Sequence, residues 1–195
     1  MGCEARLVGE HTRAVTFGAC EDFLRRFHFE TPARKRSAAA ASAPLAEIQD
    51  AALRHHDPFV RRACLGFLDH YWSDASAHVF AAALADPVEP VRHAALHSVA
   101  CERCRTEALC PTDVVPHLTA LLDREPSPEV RHKTVVALVR LADRDARART
   151  AVEEAARDDP DELVRRAATT ALSGAHVRPR KAYERDARRT RARAS

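Results

Sequence analysis

The chain has 195 residues, the size of one domain or of a short repeat array with tails. Only 5% of it is aromatic and it holds five glycines, so sandwich and barrel strands are disfavoured; no GxGxxG, GxxxxGKS or GxxxxGKT string offers a nucleotide cradle. The net charge of +3 is unevenly spread: residues 176–195 carry eight Arg or Lys against Glu184 and Asp186, leaving residues 37–175 with a net negative charge.

Early charges at Glu4, Arg6, Glu10 and Arg13 interrupt any secretory signal, and no apolar run approaches the roughly 20 residues of a membrane span. Met1-Gly2 is followed by Arg6 where a myristoylation signal wants Ser or Thr. A cytoplasmic protein without membrane contact is therefore expected, its six cysteines thiols or metal ligands before disulfides.

From Phe17 the chain acquires a helical period: Phe17, Cys20, Phe23, Leu24 and Phe27 share one face, and four of the seven phenylalanines lie between 17 and 29. Two readings stay open: a helix that caps a stack, or an amphipathic segment that binds a partner. Pro32 to Pro44, with Arg34-Lys35-Arg36 and an alanine run, reads as a linker with a helix-prone middle. The expected organisation is a cap and linker over 1–44, a repeat array over 45–173 and a basic tail over 174–195.

Within the array one phrase recurs. Turns beginning at Asp57, Asp86, Glu125 and Asp159 lead into Val60-Arg61, Val91-Arg92, Val130-Arg131 and Val164-Arg165, at intervals of 31, 39 and 34 residues. Four, seven and eight positions after each valine come Cys64, Phe67 and Leu68; Ala95, Ser98 and Val99; Thr134, Ala137 and Leu138; Ala168, Ala171 and Leu172. That spacing places a narrow stripe on one helix face. A turn aspartate accepts from the free N–H groups of the following helix, and proline at the first helical position needs no donor. The pattern predicts helices over Leu45 to His56, Pro58 to Tyr71, Ser73 to Ala85, Val88 to Cys101, Thr112 to Leu122, Ser127 to Leu141, Asp143 to Arg157 and Asp161 to Leu172.

The Asp-Pro turn, the Val-Arg helix entry and the small-residue stripe resemble HEAT repeats, in particular the short bacterial type first associated with phycobilin lyases. The resemblance covers roughly residues 45–173 and implies an all-α, right-handed α-solenoid of about four hairpins. It also implies a ladder between neighbouring units built from Asp57, Asp86 and Asp159 with Arg61, Arg92, Arg131 and Arg165. The third copy departs from the pattern by carrying Glu125 at its turn.

The long interval contains His97, Cys101, Cys104 and Cys110, the ligand types of a Cys3His zinc site. His97 and Cys104 are seven residues apart, about 10.5 Å along a straight helix, so one zinc can take all four only if the helix ends near Cys101. A structural zinc, buried reduced thiols and a redox Cys101/Cys104 pair all stay open. His55-His56-Asp57 falls at a turn and reads as exposed polar surface. Asp69-His70-Tyr71-Trp72 reads as a buried helix end or, through Trp72, a binding hot spot.

The function expected from a helical array is non-enzymatic binding of a protein partner on the concave face. Arg62, His93, His132 and Arg166, each two positions after the valine, are the candidates for that face. Alternatives are a metal- or redox-responsive adaptor built on Cys101, Cys104 and Cys110, and a nucleic-acid-associated protein whose tail makes salt-sensitive, nonspecific phosphate contacts. The tail could also fold back on the acidic body. Lyase activity is suggested only by the repeat type. HEAT-like DNA glycosylases surround DNA with several aromatics, where this chain has one Trp and two Tyr. Deoxyhypusine hydroxylases use His-Glu pairs, and no His-Glu dipeptide occurs here.

Overall fold

The computed structural model describes residues 17–71, 74–100 and 113–174, and among them every regular element is helical. Helix α1 (Gly18–Arg25) runs into a π-turn (Arg26–Glu30), and a 3-10 turn at Ala33–Lys35 leads to the short α2 (Arg36–Ala40). Four hairpins follow: α3 (Leu45–Arg54) with α4 (Pro58–His70), α5 (Ala77–Ala83) with α6 (Glu89–Ala100), α7 (Val115–Arg124) with α8 (Pro128–Val139), and α9 (Ala146–Asp158) with α10 (Glu162–Leu172). Helices α4, α6, α8 and α10 pack successively against one another as the inner layer, and each packs against the outer helix of its own hairpin. The described residues thus form an all-α solenoid of stacked helical hairpins.

The turns show why the chain reverses where it does. Asp57 adopts an extended backbone and accepts from the Phe59 amide at 2.8 Å, with Pro58 opening α4. Asp86, Glu125 and Asp159 likewise accept from the amides of Val88, Ser127 and Asp161 at 2.8, 3.0 and 2.9 Å. In each case a side-chain carboxylate satisfies an N–H that the reversal would otherwise leave without a partner. Asp161 then caps α10 by accepting from Leu163 and Val164, and Gly174, with φ +77°, ends that helix in the left-handed conformation that glycine adopts without a Cβ clash.

One continuous core runs from Phe17 to Ala168. The stripe after each valine lies in it for three copies: Cys64, Phe67, Leu68, Ala95, Ser98, Val99, Thr134, Ala137 and Leu138 are all buried. The fourth copy differs. Ala168 is buried, but Leu172 is 37% exposed, because α10 is the last described helix and no described element covers its outer side.

The first 28 described residues contribute to that core through α1 and the π-turn. Phe23 and Phe27 meet the Phe67 ring edge-on at centroid distances of 5.2 Å, and Phe27 meets Tyr71 at 5.4 Å. The Arg36 guanidinium lies over the Phe27 ring, 5.8 Å from its centroid. A second clamp joins α1 to the first turn. His55, only 3% exposed, accepts at Nδ1 from the Asp57 amide at 3.0 Å, which leaves the proton on Nε2 to donate to Glu21 at 2.7 Å. The exposed turn expected at His55 is therefore wrong for that residue: α1 and Phe17, whose ring lies 5.2 Å from the imidazole, cover it.

Candidate functional site

The turn carboxylates and helix-entry arginines form a chain of rungs between hairpins. Arg61 donates through Nε and Nη2 to Asp86 at 2.7 and 2.9 Å, Arg92 to Glu125 at 2.6 and 2.9 Å, and Arg131 to Asp159 at 2.9 and 3.0 Å. The remaining nitrogen, Nη1, donates to carbonyls of the arginine's own turn: His55 and His56 for Arg61, Asp86 and Pro87 for Arg92, Glu125 and Pro126 for Arg131. Arg165 repeats this last contact on the Asp159 carbonyl at 2.5 Å. Arg61, Arg92 and Arg131 thus each tie their own turn to the next hairpin, and the fork geometry suits guanidinium and not ammonium.

Glu125, the departure from aspartate, occupies the same place as Asp86 and Asp159. Its extra methylene still delivers both oxygens to Arg92. Burial pushes its carboxyl upward, but the Arg92 hydrogen bonds, the Ser127 amide and the charges of Arg92 and Arg131 together hold it below the ordinary glutamate value. Arg61 and Arg92 are held correspondingly above theirs, chiefly by the hydrogen bonds they donate to Asp86 and Glu125. Asp57 stands at the first turn as the cap of α4 and, of the ladder set, receives no arginine from an earlier hairpin among the described residues.

The inner-helix face carries a second row. Arg62 on α4 and Arg166 on α10 are exposed, and His93 on α6 is half-buried. His132, chosen by the same offset, is only 6% exposed and does not belong to the open face. The reason is the position of α8, which packs against α6, α7, α9 and α10 at once and buries seven of its twelve residues. Its open strip is rotated by one residue, to Lys133. The Lys133 ammonium contacts His93 Nε2 across the helix pair and Glu129 at 2.7 Å on its own helix. Further along, His97 on α6 is exposed, with Nε2 3.8 Å from the Asp69 carboxylate of α4.

Trp72 and the cysteines 101, 104 and 110 lie outside the described residues, as does the basic tail. Among the described residues no three His, Cys, Asp or Glu side chains are grouped to hold a metal, and no described helix is long and apolar enough to cross a membrane. Two clefts lie off the inner face. One of about 520 Å³ is lined by Asp22, Phe23, Arg26, Phe27 and Ser42 beside the cap. The other, about 260 Å³, lies over the Arg131–Asp159 rung between Asp123, Glu154 and Asp158.

Residues 100–173 match the family model of HEAT repeats. The HEAT-matched segment contains α7–α10, and α3–α6 repeat its turn chemistry and its arginine rungs. HEAT repeats commonly serve as protein-interaction scaffolds and are generally non-enzymatic. The chain matches none of the curated proteins and none of the solved structures with which it was compared.

Sequence reasoning missed three contributors: Lys133, His55 and Cys20. For Lys133 a signal existed, since Val135, Leu138 and Val139 beside Val130 and Thr134 leave α8 almost without a polar face. For His55 and Cys20 the partners are 34 and 44 residues distant in sequence, and no local spacing carries that pairing.

Proposed function

We propose that this protein is a non-enzymatic scaffold that binds a protein partner along its inner-helix face. The observation that carries this reading is a basic row along the inner helices: Arg62, His93 and Arg166, each two positions after its repeat valine, with half-buried Lys133, three positions after Val130, in direct contact with His93. A row of that kind is rigidly spaced because the ladder fixes the angle between hairpins, so a partner meets a preorganised surface and binding loses less ordering entropy. Its cationic character favours an acidic stretch on the partner and steers encounter.

The test is affinity capture from the native host with the wild-type chain, an Arg62→Glu/Arg166→Glu variant and a Glu153→Arg variant altered on the outer helix α9. A partner retained by wild type and by the α9 variant, and lost by about tenfold or more with the double variant, is the expected result. Equal capture by all three would remove the inner face from consideration.

A further inference from the structure

The cap and the first hairpin bring together two cysteines that sequence spacing leaves unrelated. Cys20 on α1 and Cys64 on α4 are both fully buried, and their Sγ atoms are 3.5 Å apart. Cys64 occupies the stripe position that holds Ala95, Thr134 and Ala168 in the other hairpins. In the first hairpin that position faces the cap, and it alone of the four carries a thiol. The pair is held in register from both ends: the Cys20 amide donates to Glu47 of α3 at 2.8 Å, Phe17 packs on His55, and Phe23 and Phe27 pack on Phe67.

We propose that Cys20 and Cys64 are a redox-sensitive pair whose disulfide locks helix α1 onto the first hairpin. The two sulfurs must approach by about 1.5 Å to reach bonding distance, a shift within the reach of a short terminal helix. The contact between the two sulfurs holds the Cys20 thiol below its ordinary value against burial and the nearby Glu47 and Glu21, while the same contact and burial push Cys64 up. Cys20, carried on the short helix whose lifting opens the pair to solvent, is the attacking thiolate.

The oxidant is a low-molecular-weight disulfide. Cys20 thiolate attacks one of its sulfurs, releasing one small thiolate and leaving a mixed disulfide. The Cys64 thiol loses its proton to solvent and attacks the Cys20 sulfur, releasing the second small thiolate. Both leaving groups take up protons, so two protein thiols and one small disulfide become one protein disulfide and two small thiols. Because both sulfurs are buried, the reaction proceeds through a transient lifting of α1, and closure then makes that lifting covalently impossible.

The experiment uses the full chain, wild type and with Cys3, Cys101, Cys104 and Cys110 all changed to serine, incubated with glutathione disulfide under native conditions up to just below the melting temperature. After alkylation and trypsin digestion, a linked species joining peptides 14–25 and 63–92 is expected in both proteins, separable by dithiothreitol. The oxidised protein should melt higher by about 5 °C or more, a gain lost on reduction and absent from Cys20→Ser and Cys64→Ser variants. Recovery of both peptides as alkylated thiols, linkage that forms only in urea, or pairing of either cysteine with another one would overturn the proposal.

Discussion

In each of the first three hairpins a single arginine performs two jobs that are usually separate. In Arg131, Nη1 closes the turn carbonyls of Glu125 and Pro126 while Nε and Nη2 hold Asp159 of the next hairpin. Turn geometry and hairpin stacking therefore depend on the same side chain, and both are sheltered, Arg131 and Asp159 each being 8% exposed. Glu125 carries a consequence for acid stability. Its folded pKa lies below the ordinary value of 4.5, so its contribution is fully present above about pH 4.5 and is lost as pH falls through the depressed folded value. Urea denaturation across pH 3 to 6 should show this loss in wild type, and a Glu125→Gln variant should be less stable at pH 6 with a shallower fall below pH 4.5. A variant with an unchanged acid profile would show that the rung does not respond to protonation.

At the scale of elements, burial departs from helix to helix according to neighbours and not according to propensity. Helix α8 packs against four other helices and buries the polar side chains of Arg131 and His132 with its aliphatics. Helix α1 is only eight residues long, too short to be stable alone, and it persists because its aromatic face has a receiving surface in Phe67 and Tyr71. Phe27 lies at the centre of that contact and is 4% exposed. Replacing it with alanine removes ring contacts to Phe23, Phe67 and Tyr71 and leaves a cavity, at a cost of about 3–5 kcal/mol in guanidinium denaturation. A loss under about 1 kcal/mol would mean that the cap contributes little to the stack.

For the whole molecule, stacking makes stability a sum of hairpin and neighbour terms, so the ends differ from the middle. The N-terminal end carries α1 as a cover, whereas α10 ends the described array with Leu172 and Ala171 incompletely buried. Amide hydrogen exchange should therefore be faster in α10 than in α8, by about tenfold or more in protection. Equal protection would indicate that α10 is covered as completely as α8.

The repeated Val-Arg phrase was enough, read as sequence, to set the helical class, the count of hairpins and the four turns at Asp57, Asp86, Glu125 and Asp159, because local capping chemistry and the 3.6-residue period act within a few residues of chain. It also pointed to the arginines and carboxylates of the ladder, though only by resemblance, since which carboxylate meets which arginine depends on the register of stacking. The tertiary structure decided what depends on neighbours distant in sequence. It exchanged His132 for Lys133 on the open face, because four surrounding helices set the exposed strip of α8. It buried His55 and set Cys20 against Cys64, because a cap folded back over the first hairpin, and no periodicity in either segment encodes where the other will lie.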